Sequence, residues 1–262
     1  MKHVTLKLSS SIALVTLLAA SGAQAQDFYV SASLGQSFAP DIDSDGTFTR
    51  AFTTGTVTGV NPPLTLPAGA PVTWDSSIDD SLFYSLAVGL DTDFLRCEFE
   101  YSQANFDVSS HRNVNAGGIA LGALDAGVLI SGNVGNLGTS VANLVASDNG
   151  EVETATYMVN ALYDFDLGLP VTPYVGIGIG NTTFDVRYNP GAVEVIDDES
   201  NEFVWQLMAG ASYSLNDAAT LFAAWRYRDG EEPTLPSTLL PARFTLGNDG
   251  THTLDIGIRY AF

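Results

Sequence analysis

Eight stretches of the chain alternate between apolar residues and small, polar or charged ones. In the first, Phe28, Val30, Ala32 and Leu34 alternate with Tyr29, Ser31, Ser33 and Gly35. The others cover 82–90, 95–102, 157–164, 175–180, 205–213, 221–228 and 254–262. A strand sends successive side chains to opposite faces, so period two predicts strands. The longest weakly charged apolar run, Ala126 to Ser147, is interrupted by Gly132, Asn133, Gly135, Asn136 and Gly138. It makes a poor membrane helix, which needs about 20 apolar residues.

A soluble sandwich would also alternate, and three features favour a membrane barrel over it. Connections alternate in length. Short ones fall near Asp91-Thr92-Asp93, Asp166 to Pro170 and Leu215-Asn216-Asp217, with long ones between them. Aromatic residues collect at strand ends. Phe28, Tyr163, Phe165, Tyr213, Tyr260 and Phe262 share one level, and Tyr101, Tyr157 and Tyr227 lie toward the other, as two interfacial girdles require. Charge falls only on the non-apolar set. Lipid does not tolerate an open sheet edge, so the sheet must close. The prediction is an all-β chain: a closed antiparallel eight-stranded transmembrane β-barrel with short periplasmic turns and long extracellular loops.

The N-terminus reads as an export signal. Lys2 and Lys7 precede the apolar run Ser11 to Ala20, and Ala23-Gln24-Ala25 has the small-x-small cleavage pattern. Residues 1–25 are therefore expected to be a cleaved signal peptide and 26–262 the barrel domain, localised to the outer membrane. With 10 basic against 30 acidic residues the net charge is −20. That argues against a nucleic-acid partner, which needs a basic face. One cysteine excludes an internal disulfide and a cysteine-based zinc site.

The ending LDIGIRYAF, the segment Pro173 to Gly180 (PYVGIGIG) and the triplet Trp225-Arg226-Tyr227 together resemble the OmpA/OmpX-like eight-stranded outer-membrane barrel family. The resemblance covers Gln26 to Phe262 apart from the long loops. It implies that Tyr260 and Phe262 belong to a C-terminal signal for the barrel-assembly machinery. It does not extend to a peptidoglycan-binding domain, so cell-wall tethering is not carried over.

Several residues are candidates for chemistry. In this register Arg96, Glu98, Glu100, Arg226, Arg228, Asp255 and Arg259 project into the lumen. An eight-stranded barrel is just wide enough to be filled by side chains, and buried charges must be paired. A structural ion-pair plug is thus favoured over a gated ion path through the same charges. The glycines of the fifth strand are expected to leave room for long arginine side chains. Asp41, Asp43 and Asp45, followed by Gly46, match the start of a calcium loop, although Phe52 stands where the bidentate Glu belongs. Calcium in the first long loop is the one candidate cofactor. The apolar second loop, Ala116 to Ser147, is expected to pack on the barrel mouth or the first loop rather than lie in solvent.

His111 and His252 are the histidines beyond the signal, and neither shows triad spacing with a nucleophile and an acid. No enzyme is expected. The expected function is a structural or surface-interaction role in the envelope, in contact with outer-membrane lipid and lipopolysaccharide and with a surface ligand bound through the loops. The alternative is a small gated porin-like channel.

Overall fold

The computed structural model describes residues 28–92, 95–146, 150–247 and 249–262. The expected signal peptide, 1–25, lies outside the described residues. The strands, in chain order, are β1 (Phe28–Phe38), β2 (Ile42–Phe48), β3 (Phe52–Thr53), β4 (Thr65–Leu66), β5 (Pro71–Ile78), β6 (Ser81–Asp91), β7 (Arg96–Ala116) and β8 (Ile119–Ala120). They continue with β9 (Gly150–Asp164), β10 (Val171–Tyr188), β11 (Ile196–Ser214), β12 (Ala219–Gly230), β13 (Thr234–Pro236), β14 (Ala242–Leu246) and β15 (Thr251–Ala261). One short helix, α1 (Val141–Val145), lies in the second long loop. Among the described residues no helix is long and apolar enough to cross a membrane.

The ring β1-β6-β7-β9-β10-β11-β12-β15 closes on itself through antiparallel pairs, with β15 returning to β1 and β7 joining β9. All eight alternating stretches lie on this ring. Their apolar positions face outward: Leu34, Leu82, Leu86, Ile177, Leu254 and Ile256 are exposed despite their apolar character. Such a belt is stable only in lipid. Two aromatic girdles bound it. Tyr163 packs on Phe165 and Tyr260 on Phe262 at the turn end; Tyr101 meets Tyr157, and Tyr227 meets Trp205 and His252, at the other.

Four strands are longer than the bilayer needs. A spanning strand takes about 9–11 residues, whereas β7, β9, β10 and β11 have 21, 15, 18 and 19. The surplus runs out beyond the girdle at the loop end. There the shorter ring strands are taken up again after brief breaks. β1 gives way to β2, β5 precedes β6, β13 follows β12, and β14 precedes β15. β5 pairs with the far half of β7, then β2 with β5, β14 with β2 and β13 with β14. After β13, Ser237 and Thr238 donate hydrogen bonds to the carbonyl of Val195 beside β11. The barrel therefore has two storeys, a membrane storey and an extracellular one built from the same strand order.

The upper storey has an apolar interior. Phe48, Trp74, Val108, Tyr188, Ile196 and Phe244 are buried in one cluster. The second long loop caps it, as its composition suggested: Val128 and Val141 are fully buried, and α1 packs on β7. The cap is tied to the first loop. Gly55 N–H donates to the carbonyl of Val128, and Thr58 N–H to Asn136 Oδ1. The Asp125 carboxylate accepts from the N–H groups of Gly127, Leu137 and Gly138 at 2.7–2.9 Å. These bonds favour its charged form and hold its carboxyl below the usual range.

Candidate functional site

The membrane lumen brings the expected charges together on three levels. Nearest the turns, Arg96 grips Asp164 with two hydrogen bonds, 2.5 and 3.0 Å, and reaches Glu98 at 3.3 Å. Tyr29 donates to Glu98 at 2.7 Å, and Arg259 lies over the Tyr29 ring. At mid-height Arg226 binds both oxygens of Asp255, at 2.9 and 3.2 Å, and Glu100 at 2.6 Å. Asn160 donates to Glu100 at 3.1 Å, and Gln206 to Asn160 at 2.7 Å. Above them Arg228 donates to Ser102, Thr156 and Gln206. Its guanidinium stands 3.8 Å from Glu100. Arg96, Glu100, Arg226 and Asp255 are each at most 5% exposed.

Sequence reasoning placed the seven charges but missed Asp164, Asn160 and Gln206. Asp164 sits one register step along the inward face of its strand, so the alternation itself could have found it. The amides gave no signal, because a polar inward residue need not join a network. The fifth ring strand, β10, departs from expectation. Its glycines make room for Asn160 and for Met158 and Met208, not for arginines. A Cβ on Gly178 would lie 2.1 Å from Asn160 Oδ1. Voids of about 20 and 40 Å³ lie on either side of the Arg226–Glu100–Arg228 cluster.

The Asp41–Gly46 run does not form the oxygen-rich turn expected of it. It is drawn out into β2, with Asp43 and Asp45 on its exposed face. Gly46 is a strand residue opposite Phe244, and a Cβ there would fall 2.3 Å from that ring. The glycine admits an aromatic side chain rather than turning the backbone. Asp41 instead pairs with Arg112 at 2.7 Å, which holds its carboxyl below the usual range. Among the described residues no group of three or more His, Cys, Asp or Glu side chains is placed to share a metal ion.

His111 is buried in the upper storey rather than displayed in a loop. Its Nδ1 lies 2.8 Å from Ser76 Oγ, and its ring is 4.9 Å from that of Tyr188. Ser109 and Ser110, its neighbours in sequence, are not that partner. Burial pushes the imidazole down to about 4. The folded chain thus holds His111 neutral while the unfolded chain takes a proton near pH 6.5. Its contribution is complete above about pH 6.5 and is lost as pH falls toward 4. Protease resistance of the upper storey is expected to decline across that window, and less so in His111→Gln. Asp41 releases its partner only at lower pH, so the two events separate.

Residues 72–230 match the surface antigen family. The outer membrane protein PagN of Salmonella typhimurium is 33% identical over 84 residues, 29% of this chain and 34% of PagN. An outer membrane protein of Gluconacetobacter diazotrophicus is 29% identical over 126 residues, 40% of this chain and 33% of that protein. The chain thus spans about a third of the length of each of these relatives. The crystal structure of outer membrane protein OprG from Pseudomonas aeruginosa is similar with a TM-score of 0.56 at 13% identity, over 92% of this chain and 99% of that one. This likeness is one of fold: two strand-built barrels of the same kind. The lipid-facing belt, the closed ring and these relatives lead to one conclusion: the chain belongs to the surface antigen family and is an integral β-barrel of the outer membrane.

Proposed function

We propose that the protein is a non-conducting surface protein, anchored by its membrane storey and acting through its extracellular one. The observation that carries this reading is the double closure of the lumen. The membrane storey is filled by a paired charge network, and the upper storey by a capped apolar core. An ion would have to break the first and cross the second. Loops that fold into a β-structured body present a persistent surface, which suits contact with another molecule better than gating does.

The surface so presented is acidic. Asp185, Asp197, Asp198 and Glu199 lie on the outer reach of β10 and β11, where Arg187 answers only part of the charge. A partner bearing cationic groups fits this face, and the lipid-facing belt fits outer-membrane lipid and lipopolysaccharide. Tyr260 and Phe262 suit recognition by the assembly machinery. A hydrolytic role is not proposed. Ser76 and His111 form a pair, but no acid orients His111 Nε2, which has no hydrogen-bond partner.

The test is single-channel recording of the refolded protein in a planar bilayer, beside Glu100→Gln. Both are expected to be silent while folded. A reproducible conductance that Glu100→Gln alters would replace this reading with the channel one.

A further inference from the structure

The two loops that meet on the cap are almost free of charge. No charged residue lies between Arg50 and Asp75, and only Asp125 between Asn113 and Ser147, in a chain of net charge −20. On the outer side of the cap Leu64, Ile130, Val134 and Leu137 are exposed, Val134 by 85%. All four border the stretch 54–58. Leu64 C=O accepts from Thr54 N–H, and Gly55 lies against the Ile130 carbonyl. Thr56 bonds to Asn133 and Gly135, on either side of Val134. Asn136, beside Leu137, bonds to Thr58.

The segment carrying Ile130, Val134 and Leu137 is a fixed knuckle. Positive φ at Gly132, Gly135 and Gly138 turns it tightly, and a Cβ on any of these would meet nothing within 4 Å. The N–H groups of Asn133 and Gly135 donate to the carbonyls of Ile130 and Thr56. Those of Leu137 and Gly138 donate to the two Asp125 oxygens. Asn133 Nδ2 donates to the Gly135 carbonyl at 2.7 Å. A single exposed aliphatic residue is ordinary, but a group of them held in place marks a contact surface. Side chains fixed beforehand lose little freedom on docking.

We propose that this knuckle docks on a lipid surface: the uncharged headgroup layer of a second bilayer facing the cell, with Val134 and Leu137 entering it. Three features select lipid. Backbone that enters lipid must have its polar groups satisfied from within, and four successive donors of the knuckle already are. A protein interface takes about 20–30 residues a side and is anchored by aromatic and arginine side chains. Here four aliphatic side chains stand out, and lipid takes apolar area from water without a matched shape. Finally, the charge-free tip stands ahead of acidic walls. An anionic surface is repelled by the net charge of −20, whereas an uncharged headgroup layer is not. The knuckle is a different surface from the acidic face of β10 and β11. The proposal therefore goes beyond the surface-contact reading of that face and stands or falls apart from it.

The test is flotation of phosphatidylcholine vesicles with the full refolded barrel in lipid nanodiscs, with empty nanodiscs as reference. Saturable binding to the vesicles is expected, and it should persist at high salt because no ion pair carries it. Vesicles containing phosphatidylserine are expected to bind more weakly at low salt. Val134→Ser and Leu137→Ser are each expected to weaken binding about tenfold. Val134→Trp, which enlarges the apolar tip, is expected to strengthen it. Each variant is compared in protein whose barrel is shown folded by its heat-modifiable gel mobility. The proposal is overturned if phosphatidylcholine vesicles are not bound, or if binding survives Val134→Ser and Leu137→Ser together. Pairing of nanodiscs without vesicles, lost in Val134→Ser, would put a second copy of the chain in place of lipid and overturn it. Binding only to vesicles that carry a cationic lipid would assign the contact to the acidic walls and overturn it as well.

Discussion

Arg226→Met is expected to destabilise the membrane storey by ~3–5 kcal/mol, the cost of leaving buried charges without their partner. Arg226 is 5% exposed and is the shared cation of Glu100 and Asp255, which are 1% and 3% exposed. Methionine fills much of the same volume but leaves two carboxylates facing each other across the lumen. Arg228 stands 3.8 Å from Glu100 and compensates only in part. The measurement is urea unfolding in lipid vesicles, followed by heat-modifiable gel mobility. Adding Glu100→Gln and Asp255→Asn is expected to restore most of the loss, because no unpaired carboxylate then remains and Arg228 keeps its hydrogen bonds to Ser102, Thr156 and Gln206. A triple variant as unstable as Arg226→Met alone would mean that packing, not charge, explains the effect.

Phe244→Ala is expected to cost ~3–5 kcal/mol, but in the upper storey alone. Phe244 is fully buried, lies 4.2 Å from the Trp74 ring centre, and occupies the space that Gly46 leaves on the neighbouring strand. Removing the ring opens a cavity where β2, β5 and β14 meet. The membrane storey shares few of these contacts and should keep its gel mobility. Limited proteolysis is the readout: cuts within 42–78 and 234–246 are expected in the variant and not in the parent. Loss of both storeys together would show that they fold as one unit.

How much of this was legible in the sequence differs between the storeys. The membrane strands were, because lipid on one side and a filled lumen on the other impose strict alternation. Arg96, Glu100, Arg226 and Asp255 followed directly from that register. The upper storey was not. Its strands are short, and β2 contains Asp43, Asp45 and Gly46, residues that read locally as a turn. What makes them a strand is pairing with β14, some two hundred residues along the chain, whose Phe244 needs the glycine. Local pattern does not carry such a tertiary requirement. The apolar second loop did announce that it would be covered, since Val128 and Val141 have no place in water. It did not announce which side chains it would cover, since Trp74, His111 and Tyr188 come to the upper storey from three different strands.

The central claim is that the long loops fold into a second, sealed storey of the barrel. Hydrogen exchange followed by mass spectrometry on the refolded protein in lipid tests it most directly. Slow exchange is expected across 42–48, 72–78, 108–116 and 242–246, approaching that of the membrane strands, because these amides are paired and buried. Exchange of those segments within seconds, beside protected membrane strands, would show that the loops are open chain and would contradict the account.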